Sequence, residues 1–248
     1  MSVTRIRLLS IPLDCIPIGE LETTFEELLY SGKSAQICFV SIWDFLKAKV
    51  NKEYRAVIEN AALIIPVSKS LLKAAAFLKL GKLVRYNQFS VVISFLRVIE
   101  QHYKTLYLLG GHKDTLLTSE KNIRSTFPSL HVVGRYVGFY PKNEEENLLE
   151  AIYKSSPSFL LVSEGIKNGM KWIYTHKEKF NSSIVLYYKE IFGIFAKQRK
   201  KISAEVFEKG NEIWFEIFRN PLKIFLFFPF LWFILLVAFE KLCIKFKK

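Results

Sequence analysis

The sequence predicts an α/β protein: a Rossmann-like, mostly parallel sheet with helices on both faces, plus a C-terminal helical segment that attaches to membrane. Three features carry this. Short apolar runs alternate with stretches of helical periodicity, the pattern of a sheet built from strand–helix units. One run, Tyr107-Leu108-Leu109, ends in Gly110-Gly111 before a polar helical stretch. Near the C-terminus, residues 224–239 carry no charge.

Taken in order, strands are predicted at residues 6–11, 35–40, 62–66, 105–109, 131–137, 159–163 and 183–188. Helices are predicted at residues 21–29, 44–60, 69–80, 91–103, 114–126, 143–153 and 168–179, with Asp44 and Asp114 in N-cap positions. Open parallel sheets bind ligands beyond the carboxyl ends of their strands. Those ends are Ser41, Val67-Ser68, Gly110-Gly111 and Ser163-Glu164-Gly165. Glycine there lets backbone N–H groups approach an anion, which the next helix N-terminus also favours. The same pair also makes an ordinary turn.

The 248 residues divide into an α/β domain over 1–203 and an appended segment over 204–248. Half the residues are hydrophobic and 22 are Phe, enough apolar surface for a packed core. A net charge of +13 favours an anionic partner. From Lys197 onward 11 Lys or Arg stand against 5 Glu, around the most apolar stretch. That placement points to membrane rather than nucleic acid, for which no motif is present. Cys15, Cys38 and Cys243 are scattered, as suits a reducing cytoplasm. The first ten residues lack the apolar core of a signal peptide. The four histidines have no metal-ligand spacing and no Asp-x-Asp occurs, so neither metal nor cofactor is expected.

Residues 204–218 read as an amphipathic helix with Glu205, Glu208, Glu212 and Glu216 on one side. The 16 residues 224–239 would then rise about 24 Å as a helix, short of the ~30 Å hydrocarbon core. Pro229 interrupts that helix or kinks it. A tilted spanning helix, a one-sided insertion and a buried core helix are the three readings. Apolar residues all round and lysines at both ends favour the two membrane readings, with Lys245, Lys247 and Lys248 among anionic head groups.

The glycine block continues through Phe127-Pro128, Val132-Val133-Gly134 and Gly138-Phe139-Tyr140. Upstream stand Ile11-Pro12-Leu13-Asp14, Asn51-Lys52-Glu53-Tyr54 and Ala62-Leu63-Ile64-Ile65-Pro66; downstream stand Lys171-Trp172-Ile173 and Gly210-Asn211-Glu212-Ile213-Trp214. In this order and spacing, over roughly residues 6–221, the set resembles the WecG/TagA/CpsF family of bacterial glycosyltransferases.

The resemblance implies transfer of an N-acetylmannosamine-like sugar from a UDP donor to a polyprenyl-diphosphate-linked acceptor. The place would be the cytoplasmic face of the bacterial cell membrane, the process surface-polysaccharide assembly. Self-association or a partner glycosyltransferase would be further contacts. Asp14, Ser41, Arg85, Gly110, Gly111, Tyr136, Gly138 and Gly165 would bind the nucleotide-sugar, and Lys197, Arg199, Lys200 and Lys201 the lipid phosphate. The family's catalytic aspartate, in Pro-Asp-Gly, falls at Val67, which accepts no proton. The family's Thr-x-Asn-Pro-Glu turn likewise has Trp43 in place of its acid. Glu164, ending a predicted strand, is the substitute base; Asp14 is a weaker one. Two functions follow: a transferase with a replaced base, or a catalytically inactive relative that binds ligand, lipid or a partner enzyme.

Overall fold

The computed structural model describes residues 3–201, 203, 207–208 and 227–246. The predicted amphipathic helix over 204–218 lies outside them apart from Phe207 and Glu208.

Six strands form one parallel sheet: β3 (Ala35–Val40), β4 (Leu63–Pro66), β5 (Thr105–Leu109), β6 (His131–Tyr136), β7 (Phe159–Val162) and β8 (Ile184–Tyr187). Their spatial order is β4-β3-β8-β7-β5-β6, every neighbour parallel. In every strand but the edge strand β6, whose residues are exposed or half-buried in alternation, both faces are covered, which is why those strands read as continuous hydrophobic runs. Ile37 and Phe39 join one cluster with Phe25 of α1 (Leu21–Tyr30) and Phe95 of α5 (Gln88–Gln101). Their neighbours Cys38 and Val40 join another with α2 (Ile42–Val50), α3 (Lys52–Glu59) and α4 (Lys69–Phe77). α6 (Lys113–Thr126) covers the first side, while α7 (Glu145–Ser155) and α8 (Gly169–Thr175) pack with Tyr107 and Leu109.

Four expectations are corrected. The first predicted strand is a hairpin, β1 (Thr4–Leu8) and β2 (Ile11–Cys15), turning at Leu9 and Ser10 with φ of 45° and 73°. Such turns usually carry Asn or Gly, so their chemical signal was missing here. The helix predicted over 44–60 breaks at Asn51, whose extended backbone ends α2 and whose side chain accepts from the Tyr54 N–H at 2.9 Å, starting α3. Asp44 and Asp114 are not N-caps but lie inside the first turns, behind Ser41 and His112. The short helix α9 (Ile191–Phe195), wholly buried, was not predicted.

The C-terminal helix α10 runs over Phe227–Phe246. Phe233 and Val237 are buried in the cluster around α2, and the Phe233 ring meets Phe45 edge-on with centroids 5.6 Å apart. Lys241 Nζ donates to Phe77 O at 2.6 Å. The opposite side, with Phe228, Trp232, Leu235 and Phe239, is exposed. The helix is therefore neither buried all round nor detached.

Candidate functional site

From β3 the chain moves to β4 on one side, and from β5 to β6 on the other; β8 and β7 fill the gap. Ligands of such sheets lie beyond the strand ends where the connections diverge. A cleft of about 390 Å³ opens there, lined by Asp44 and Lys47 of α2, Tyr54 of α3, the loop from Glu164 to Asn168, Gly169 and Met170 of α8, and Tyr187 and Lys189.

The walls are built by local rules. Ser41 caps α2 in a reciprocal box: the Asp44 N–H donates to Ser41 Oγ at 3.3 Å and the Ser41 N–H to Asp44 Oδ2 at 3.0 Å, and the Ser41 hydroxyl also donates to Oδ2 at 2.6 Å. Tyr54 Oη donates to Asp44 Oδ1 at 2.6 Å. Burial, and then the Asp44 charge, push the Tyr54 phenol well up, so it stays a donor. Tyr187 is also pushed up, first by burial and then by Glu164 and Asp44. Its ring lies over Gly169, where a Cβ would come within 2.2 Å of it.

Lys47, Lys167 and Lys189 stand against Asp44 and Glu164 in the lining. Glu164 Oε2 is paired with Arg199 Nη2 at 2.7 Å, so the cleft has a positive balance suited to a phosphate-bearing ligand.

The predicted glycines meet, but for one another. Gly110 N–H donates to Tyr136 O at 2.9 Å and Gly111 N–H to Glu164 O at 2.7 Å. Gly138 N–H donates to Gly111 O at 2.9 Å. A Cβ on Gly138 would lie 2.2 Å from Glu164 O, and one on Gly165 2.5 Å from the Gly138 backbone. These glycines weld three loops at the sheet edge. The Gly110 and Gly111 amides, expected to face a phosphate, thus both donate to backbone carbonyls.

The remaining predicted residues lie apart. Asp14 is buried within β2, bonded to Arg5 Nε at 2.7 Å and to the Ile64 N–H at 2.7 Å, an anchor between hairpin and β4 rather than a cleft residue. Ser41 is committed to its cap. Val67 is outside the cleft lining, half-buried against the other core cluster. Its carbonyl accepts from Arg85 Nε at 2.8 Å, and the Arg85 guanidinium lies over the Phe207 ring. Tyr136 sits on the edge strand against Tyr140. Lys197, Lys200 and Lys201 follow α9, Lys200 and Lys201 exposed, whereas Arg199 is held by Glu164 and Glu190.

Sequence reasoning missed Asp44, Lys47, Tyr54 and Tyr187. Ser41-x-x-Asp44 was a legible signal, since that spacing marks a capping box. Among the described residues no three His, Cys, Asp or Glu side chains are grouped so as to hold a metal ion.

The family model for the "Glycosyl transferase WecG/TagA/CpsF family" matches residues 6–246. Proteins named N-acetylglucosaminyldiphosphoundecaprenol N-acetyl-beta-D-mannosaminyltransferase, from Staphylococcus aureus strains NCTC 8325 / PS 47 and COL, are each 21% identical over 167 residues. The match covers 67% of this chain and 65% of theirs, so the chain spans a little under two thirds of these relatives. With a match that runs through every strand of the sheet and both walls of the cleft, the chain belongs to the WecG/TagA/CpsF family of glycosyl transferases.

Proposed function

We propose that this chain transfers an N-acetylmannosamine-like sugar from a UDP donor to a polyprenyl-diphosphate-linked acceptor, at the cytoplasmic face of the bacterial membrane. The observation that carries this is the lysine-edged cleft at the point where the strand connections diverge, in a member of this family. The Staphylococcus aureus relatives are named for such an acceptor and such a sugar. Lys47, Lys167 and Lys189 would balance the donor diphosphate, and the Tyr54 and Tyr187 walls would seat the sugar or base. The exposed apolar side of α10 supports the membrane placement, because a lipid-linked acceptor never leaves the bilayer.

A second reading, a relative that binds the nucleotide-sugar, lipid or a partner enzyme without turnover, is favoured by Val67 in place of the family's aspartate. One experiment separates them. Thermal shift against a panel of UDP-sugars, followed by UDP release with a prenyl-linked acceptor, gives stabilisation with turnover for the first reading and without it for the second. Absence of any stabilisation rejects donor binding for both.

A further inference from the structure

Two carboxylates line the cleft, and what holds them differs. Glu164 is paired with the permanent cation Arg199 at 2.7 Å. Glu164 is thereby committed to an ion pair at the rim, with Oε2 taken up by the guanidinium. Asp44 is held instead by neutral donors, the Tyr54 hydroxyl on Oδ1 and the Ser41 hydroxyl and N–H on Oδ2. Oδ1 accepts from the Tyr54 hydroxyl, and a carboxylate oxygen can accept a second bond, in a side chain that lines the cleft. β3 and β4 are adjacent, with the Val67 N–H donating to Val40 O at 3.0 Å. The first turn of α2, with the Asp44 carboxylate, therefore stands one strand away from Val67.

We propose that Asp44 is the general base of this chain, an inference that rests on the transferase reading above. As the acceptor hydroxyl oxygen bonds to the anomeric carbon, its proton passes to Asp44 Oδ1. The bond from that carbon to the donor diphosphate breaks, and the electron pair leaves with UDP. The proton passes from Asp44 to solvent once the products depart. Tyr54 is a positioning residue that aims Oδ1. The titratable groups around Asp44 are Lys47 on its own helix, the neutral Tyr54 on α3 and Cys38 on β3, and, across the cleft, the neutral Tyr187 with Glu164, Lys167 and Lys189.

The test uses the full chain on vesicles of phosphatidylglycerol and phosphatidylcholine. The donor is UDP-N-acetylmannosamine, the acceptor undecaprenyl-diphosphate-linked N-acetylglucosamine, and UDP release is followed from pH 5 to 9. Asp44→Asn is expected to lower kcat about 10²- to 10⁴-fold while thermal stabilisation by UDP is kept. Glu164→Gln is expected to cost less than about tenfold. Tyr54→Phe keeps the ring wall but removes the hydrogen bond that aims Oδ1, so kcat is expected to fall about tenfold with the donor KM unchanged. Asp44→Glu, which keeps a carboxylate, is expected to recover at least about tenfold over Asp44→Asn, a rescue that a structural role alone would not give. Asp44→Asn within about threefold of the unaltered chain, a larger loss in Glu164→Gln, or no recovery in Asp44→Glu would each overturn the assignment. An unchanged kcat in Tyr54→Phe would overturn it too, should Asp44→Asn unfold. An unaltered chain that UDP stabilises but that releases no UDP would instead remove the transferase reading itself.

Discussion

The Glu164 carboxylate meets the Arg199 guanidinium at 2.7 Å, so an acid expected to act as base and a cation expected to bind lipid phosphate neutralise each other. Arg199 is further fixed by Glu190 at 3.2 Å and by Gly193, where a Cβ would lie 2.9 Å from the Arg199 side chain. Arg199→Gln leaves both carboxylates without their shared cation at the cleft rim. UDP affinity is expected to fall about tenfold at low salt, and the deficit to shrink in about 1 M salt, where the screening length is ~3 Å. Isothermal titration at the two salt concentrations checks this; an unchanged Kd at low salt contradicts it.

Gly138 carries the second prediction. Its missing Cβ would strike Glu164 O at 2.2 Å and Gly110 Cα at 2.9 Å, both backbone atoms that cannot swing aside. Gly138→Ala therefore has to separate the loops after β5 and β7. An overpacking cost of about 3 kcal/mol is expected, read as a lowered denaturation midpoint in urea. Weaker UDP binding should accompany it, because Glu164 moves with the loop.

Arg5 and Asp14 form a two-pronged pair, 2.7 and 3.0 Å, with the Asp14 carboxylate wholly buried and Arg5 partly exposed. Removing the arginine strands a buried charge that keeps only the Ile64 N–H. Arg5→Ala should cost about 3 kcal/mol of stability, while Arg5 paired with Asp14→Asn should cost less. A denaturation series measures both, and the reverse ranking would contradict an anchoring role. UDP affinity should be the same in both variants, because neither residue lines the cleft.

The strands were legible in the sequence because both faces of a parallel sheet are buried, so β5 and β7 appear as plain apolar runs. The hairpin was not, because Leu9 and Ser10 adopt left-handed backbone without turn-type residues. Asn51 was ambiguous: an amide that ends one helix and starts the next looks like a polar position on a single long one. The glycine spacing marked the loops after β5, β6 and β7 but not what the glycines touch. A free N–H and one bonded across to Glu164 O leave the same mark in sequence. Val67 could be read only as a departure from the pattern of the family that the sequence resembles, whereas the surroundings of Asp44 became visible only with Tyr54 and the Glu164 loop beside it.

The last prediction concerns α10, whose two sides have different tasks. Phe233 and Val237 are 3% and 7% exposed against α2, whereas Leu235 and Phe239 are 67% and 66% exposed. Residues that pack against the domain run from Phe230 to Ile244, about 21 Å of helix at ~1.5 Å per residue. A helix lying along the domain over that length would, in the proposed membrane placement, present its outer side to one leaflet. Burying one large apolar side chain contributes about 1.5–3 kcal/mol, so two charges there remove roughly 4 kcal/mol, about 10³-fold in partitioning. Leu235→Glu with Phe239→Glu should abolish cosedimentation with phosphatidylglycerol vesicles and leave the denaturation midpoint nearly unchanged. Phe233→Ala should do the opposite, costing about 3 kcal/mol of stability through the lost Phe45 contact while the outer side still binds vesicles. Equal vesicle binding by the double glutamate variant and the unaltered chain would show that the outer side of α10 serves something other than lipid.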